Sequence, residues 1–330
     1  MSTEGTSLSP RSIIVTGGAG FIGSHLVEKL LAAGKSVVAI DDLSTGSLDN
    51  LRAVAGHRHL KVIESKVSAC VNLADLIASA ESIYHLAAGV GVELVVNSPI
   101  HVLRTNLHET EVLLEAAAAH RTPVLITSTS EVYGKSQKPG FGEEDDLLIG
   151  PPHQARWGYA CSKLMDEFLA LAYAKERLLP VVIVRLFNTV GPRQTGRYGM
   201  VLPRFIAAAR TGQPLRVYGD GQQSRCFCYV SDVVEALIRL QSCPAACGEV
   251  FNVGGTEEIS IHGLAELVIK VLGSESRIEL VPYTKAYAPG FDDMRRRKPM
   301  VDKLAKVAGF QPAMSLAEII RRTALEAKIG

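Results

Sequence analysis

Thr16-Gly17-Gly18-Ala19-Gly20-Phe21-Ile22-Gly23 directly follows an apolar, β-branched run and opens a helical pattern. No other stretch constrains the fold as strongly. Gly-x-Gly-x-x-Gly alone is a weak signal, but strand, turn and helix in that order are the context in which it binds a dinucleotide. Glycines let the backbone turn sharply and approach a pyrophosphate, which then rests on unpaired N–H groups at the helix start. About 20 residues beyond the last glycine, Asp41 and Asp42 end the second apolar run. A carboxylate there bonds the hydroxyls of an adenosine ribose and repels a 2′-phosphate, which predicts NAD over NADP.

The first half of the chain alternates apolar runs with helical stretches. Strands are predicted at 12–16, 36–41, 61–64, 82–86, 124–128 and 181–186. Ile13-Ile14-Val15, Val37-Val38-Ala39-Ile40 and Val181-Val182-Ile183-Val184 are apolar on both faces, as parallel strands covered by helices read. Helices are predicted at 22–33, 99–119 and 159–176, the second opening on proline. This alternation predicts right-handed crossovers and an α/β fold, a Rossmann doubly wound parallel sheet. After Asn188, Gly and Pro become frequent (Gly191, Pro192, Gly196, Gly199, Pro203, Gly219, Gly221). Helices are expected there at 201–210, 231–241, 259–272 and 316–328. The expected division is an NAD-binding domain over 11–187, with a return segment near 249–256, and a smaller α+β substrate-binding lobe mainly over 188–330.

Charge is nearly balanced, with 35 basic against 34 acidic side chains, which argues against a nucleic-acid partner. No apolar run reaches the roughly 18 residues needed to cross a bilayer. The polar stretch from Met1 to Pro10 lacks the basic and apolar segments of a signal peptide, so a cytoplasmic protein is expected. Neither Cys226–Cys228 nor Cys243–Cys247 has a zinc-site spacing, and no metal is assigned to any histidine. The cysteines are expected as buried, reduced thiols.

Tyr159 and Lys163 stand four residues apart, on one face of a helix. The strand ending at Ser128 runs into Thr129-Ser130-Glu131, placing two hydroxyls and a carboxylate at the sheet edge where open α/β sheets bind ligands. Taking hydride from a sugar C–H requires the hydroxyl proton to leave with it, so a base must touch that hydroxyl. Free tyrosine titrates near 10, but a lysine ammonium and a cationic nicotinamide favour the phenolate. Thr129 or Ser130 can share a hydrogen bond with the same oxygen.

On these residues the chain resembles the extended short-chain dehydrogenases/reductases, in the group of nucleotide-sugar epimerases, dehydratases and decarboxylases. The resemblance runs nearly end to end, through the glycine turn, His85-Leu-Ala-Ala88, Ser128-Thr-Ser-Glu-Val-Tyr-Gly134, Tyr159-x-x-x-Lys163, Arg185-Leu-Phe-Asn188, Gly191-Pro-Arg193 and Tyr229-Val-Ser-Asp232. It implies that Gly17, Gly20, Phe21, Ile22 and Gly23 hold the pyrophosphate and that Asp41, beside Asp42, holds the ribose. Val67, Leu86, Ala87, Ala88 and Thr127 would line the cofactor groove, with Lys163 reaching the nicotinamide ribose. Asn188, Arg193, Arg225 and one of Arg295, Arg296 or Arg297, taken as Arg297, would meet the diphosphate of a UDP-sugar. It further implies a homodimer through the helices near 99–119 and 159–176, with Leu164, Phe168 and Leu171 on their apolar faces.

The chain departs from the group at Glu64-Ser65-Lys66-Val67, where Gly-Asp-hydrophobe is usual, and at Met300, where Asp is common. Members share oxidation of the sugar at C4; the 4-keto product is then epimerised, dehydrated or decarboxylated. Glu131, with Ser130 before it, is similar to UDP-glucuronate decarboxylases, because acid/base work at C5 calls for a carboxylate. Leu94 stands where those enzymes usually have Tyr. Decarboxylation of UDP-glucuronate to UDP-xylose is therefore the reading adopted. UDP-glucose or UDP-glucuronate 4-epimerisation and 4,6-dehydration are the alternatives. A non-catalytic dinucleotide-binding regulator would be favoured by loss of Tyr159, Lys163 or Thr129, and all three are present.

Overall fold

The alternation of two-faced apolar runs and amphipathic helices folds as one large sheet covered on both sides. In the first half the elements are β1 (Ser12–Thr16), α1 (Phe21–Ala32), β2 (Ser36–Asp41), β3 (Leu60–Glu64), α2 (Leu73–Ala78) and β4 (Ala80–His85). These are followed by α3 (Pro99–His120), β5 (Val124–Thr129), α4 (Ala155–Arg177) and β6 (Val181–Leu186). The second half adds β7 (Thr189–Val190), α5 (Val201–Arg210), β8 (Leu215–Tyr218), β9 (Ser224–Cys226), β10 (Cys228–Tyr229) and α6 (Val230–Gln241). It ends with β11 (Glu249–Val253), β12 (Glu258–Ser260), α7 (Ile261–Leu272), β13 (Ile278–Val281), β14 (Arg296–Arg297), α8 (Asp302–Ala308) and α9 (Leu316–Glu326). The computed structural model describes residues 11–89, 98–194, 200–282 and 294–326. Leu94, Gly196, Gly199, the first ten residues and the expected helical turn at 327–328 lie outside them.

The sheet runs β3-β2-β1-β4-β5-β6-β11, every pair parallel. Alternation sends Ile13, Val15, Leu125, Val182 and Val184 into a core beneath α1 and α6. Ile14, Ile83, Val124, Ile126, Val181 and Ile183 face the opposite way, into a second core with Leu113 and Leu114 of α3 and Ala170 of α4. The Rossmann doubly wound sheet expected from the pattern is the one observed. Three small sheets, β7–β10, β12-β9-β14 and β8–β13, are built from the strands of the irregular second half.

Strand and helix boundaries move by a residue or a few from those expected; α2, α8, the 3-10 turns at Leu48–Val54, Ser130–Tyr133 and Pro244–Ala246, and the short strands β7–β10 and β12–β14 were not anticipated as elements. All six cysteines are free, yet Cys161 and Cys247 are exposed rather than buried, which corrects the expectation for them. Among the described residues no helix is long and apolar enough to cross a membrane.

Candidate active site

Strand order reverses between β1 and β4, and the loops leaving their carboxyl ends part there. The resulting cleft holds about 540 Å³ and extends from the glycine turn past Tyr159 to Arg297, Arg204 and Tyr218.

Its outer half is built from backbone. Gly17 has φ +69°, and a Cβ there would lie 2.8 Å from the Ala87 nitrogen. A Cβ on Gly23 would overlap the Gly17 carbonyl oxygen. Both glycines are therefore fixed by close packing of turn, helix and strand. No side chain caps the amino end of α1 at Gly20, and no acidic residue stands in its first turn, so the end is open to an anion. Asp41, buried at the end of β2, accepts from the Ala19 amide through Oδ2 at 2.9 Å and from the Leu43 amide through Oδ1 at 2.9 Å. Burial raises its carboxyl, and those amides oppose the rise. Asp42 also lines the cleft, with Oδ1 accepting from the amide and hydroxyl of Ser44. Phe21, Ile22, Val67, Leu86, Ala87, Ala88 and Thr127 complete the wall; the Thr127 hydroxyl donates to the His85 carbonyl at 3.2 Å.

The inner half is built from charged side chains. Tyr159 and Lys163 both line the cleft from α4. The Thr129 hydroxyl, at the end of β5, accepts from the Glu131 amide at 3.2 Å and stands beside the Tyr159 phenol, whose ionisation it favours. Ser130 lines the cleft too, but its hydroxyl faces Arg297 at 3.5 Å. Glu131 sits between two guanidiniums, with Arg156 Nε at 3.1 Å and Nη2 at 3.2 Å, and Arg297 Nη1 at 3.1 Å. Burial pushes the Tyr159 phenol well above its ordinary value; Glu131 and Asp166 add to the rise, whereas Thr129 and Arg297 oppose it. The lysine ammonium is no bare charge: its Nζ donates to Asp166 Oδ2 at 2.8 Å.

Asn188, held at φ +28°, donates from Nδ2 to the Cys226 carbonyl at 2.8 Å and lines the cleft with Arg225. Of the three consecutive arginines, only Arg297 faces the cleft; Arg296 pairs outside it with Glu258 at 2.6 Å. Arg193 is a correction. It turns onto α1, donating to Glu28 Oε1 at 2.6 Å and Ser24 Oγ at 3.1 Å, and is not part of the cleft wall. Basic groups that sequence reasoning passed over stand in the wall instead: Arg156, Arg216, and Arg204, whose guanidinium lies 4.4 Å from the Tyr218 ring centre. Only Arg156 left a usable signal, three residues before Tyr159 on the same helix.

The family described as NAD dependent epimerase/dehydratase family matches residues 13–254. Over 94% of this chain and 95% of the relative, the sequence is 40% identical to the UDP-N-acetyl-alpha-D-glucosaminuronate decarboxylase of Bacillus cytotoxicus. It is 36% identical to UDP-glucuronic acid decarboxylase 6 of Arabidopsis thaliana, over 93% of this chain and 85% of that one. Its fold is similar to the UDP-glucuronic acid 4-epimerase from Bacillus cereus solved with UDP-glucuronic acid and NAD. That match has a TM-score of 0.85 and 28% identity, covering 96% of this chain and 98% of the other.

Proposed function

The chain belongs to the NAD dependent epimerase/dehydratase family, and from that membership and the cleft we propose that it decarboxylates a UDP-hexuronate, converting UDP-glucuronate to UDP-xylose through a 4-keto sugar. The observation that carries the reading is the charge of the inner cleft. Glu131 is outnumbered by Arg156, Arg297 and Arg225, while Lys163 is balanced by Asp166. A cleft with cations in excess suits a sugar that brings a carboxylate in addition to its diphosphate.

The residues present fit a dinucleotide. The close-packed glycine turn and the uncapped start of α1 would hold its pyrophosphate, Asp41 its ribose, and Val67 with Leu86, Ala87 and Ala88 its adenine side. When bound, NAD supplies a reversible hydride acceptor for the sugar's C4.

Tyr159 takes the proton of the C4 hydroxyl, with Thr129 fixing the phenol's direction. Oxidation at C4 makes the substrate a β-keto acid. The C5–C6 bond then breaks, carbon dioxide leaves, and the electron pair moves onto the C4 oxygen, where Tyr159 and Thr129 meet its charge. Arg297 is the guanidinium offered to the sugar carboxylate. Two guanidiniums clamp the Glu131 carboxylate in place, so it serves the return of a proton to C5 by ordering the water that delivers it.

Mass spectrometry of products from UDP-glucuronate, UDP-N-acetylglucosaminuronate, UDP-glucose and UDP-N-acetylglucosamine tests this. Loss of carbon dioxide from UDP-glucuronate is expected. The relative at 40% identity favours a second reading, in which the N-acetylated uronate is the better substrate of the same reaction. Products of unchanged mass would make the protein an epimerase, and loss of water a dehydratase.

We also propose a homodimer through α3 and α4. Leu164 and Leu171 pack inward, but Phe168, Met165 and Ile100 are exposed. Sedimentation of Phe168→Glu should give monomers where the parent gives dimers.

A further inference from the structure

Lys163 and Asp166 form an ion pair whose side chains are 3% and 0% exposed, with Nζ 2.8 Å from Oδ2. The second carboxylate oxygen, Oδ1, has no hydrogen-bond partner among the described residues. Stability does not account for such a carboxylate. Burying an ion pair is costly to desolvate, an unbonded buried oxygen adds to that cost, and apolar replacements are often neutral or stabilising. Asp166 is also set back from the cleft, so it touches no substrate.

The groups around the pair come from every neighbouring element. On β4, His85 bridges Thr16 Oγ1 at 2.8 Å and Thr110 Oγ1 at 3.2 Å; burial and the positive charge of Lys163 push its ring down to about 3, so it is neutral. Thr110 of α3 lies against the Asp166 carboxylate. Glu167, next along α4, is matched by Arg185 of β6 at 2.7 Å. Glu131, after β5, is matched by Arg156 of α4 and Arg297 of β14. Among the described residues, Asp166 alone is placed to balance the Lys163 ammonium.

We propose that Asp166 is a positioning residue that sets the pH range in which Tyr159 works, by holding and half-cancelling the charge of Lys163. The inference rests on Tyr159 as the base of the proposed reaction. A free ammonium one helical turn from the phenol would favour phenolate at lower pH. Paired with Asp166, the same ammonium is fixed in direction along α4 and exerts a weaker pull.

The test is the pH profile of kcat for UDP-glucuronate decarboxylation by the full chain. In Asp166→Asn the acid limb is expected to move to lower pH, raising the rate below that limb severalfold relative to its plateau, with KM held. Asp166→Glu should return the limb toward its parental position. Ultraviolet tyrosinate absorbance reads the same ordering without turnover: the component lost in Tyr159→Phe should ionise at lower pH in Asp166→Asn. Should the Asn variant fail to fold, Asp166→Leu removes both the charge and the unbonded oxygen and carries the same expectation. An unmoved limb, with only kcat or Tm altered, would overturn the inference and leave Asp166 a structural residue. Full activity in Tyr159→Phe would instead remove the reading on which it rests.

Discussion

Two buried ion pairs stand side by side on α4, and they are built differently. Glu167 meets Arg185 through two parallel contacts, Nε to Oε1 at 3.0 Å and Nη2 to Oε2 at 2.7 Å. The remaining guanidinium nitrogen reaches the Tyr133 hydroxyl at 3.0 Å and the Glu143 carbonyl at 3.1 Å. Tyr133 donates to Asn252 on β11 at 2.8 Å, so the network ties helix, turn and three strands together. Asp166 meets Lys163 through one contact and leaves an oxygen unbonded. Saturation marks the pair that holds the fold, whereas the unsaturated pair stands behind the site and reaches it through Lys163, where charge and direction matter more than stability.

Removing one partner separates the two. Glu167→Gln strands the Arg185 charge and should cost about 3–5 kcal/mol, read as a lower urea midpoint. Activity per folded molecule should change far less. A cost no larger than that of Asp166→Asn would erase the distinction.

Next in size is the base. Tyr159→Phe should lower kcat at least about 100-fold, at the low end of general-base effects, with UDP-sugar affinity nearly intact. A comparable fall in affinity would mean that the phenol binds substrate instead.

Glu131→Gln is expected to slow carbon dioxide release about tenfold or more while C4 oxidation persists, since neutralising it disturbs the Arg156 and Arg297 clamp and removes a charge that opposes, not one that aids, ionisation of Tyr159. Single-turnover measurement of both events decides it. An unchanged rate would remove Glu131 from the chemistry.

What the sequence could reveal depended on the range of the interaction. Strands such as 13–15 and 181–184 were legible because both faces are buried, which forces continuous apolar runs. The six-residue α2, which starts after Asn72 in a left-handed conformation without a side-chain cap, offers neither length nor a capping signal. The glycine turn and the Tyr159–Lys163 spacing were readable because each is local. The Glu131 clamp was not, since Arg156 lies 25 positions away and Arg297 arrives on another sheet. Arg193 misled because motif position says nothing of side-chain direction, and Glu28 on α1 captures it. Asp166 was within reach, three residues after Lys163 on the same helix.

The smallest expected effect concerns pH and stability. Burial raises the Asp166 carboxyl above 3.8, and Lys163 opposes the rise. The folded chain therefore holds that proton more tightly than the unfolded one. Between the ordinary value and the raised one the native state binds more protons, so this group's contribution to stability falls as pH rises through that window and is fully lost above it. Asp166→Asn has no such loss. Measured against the parent by urea unfolding, it should gain relative stability as pH increases from below 3.8, and other carboxylates largely cancel in the difference. A stability difference that is flat with pH would mean the Asp166 carboxyl titrates alike in the folded and unfolded chain, and its unbonded oxygen would then carry no electrostatic penalty.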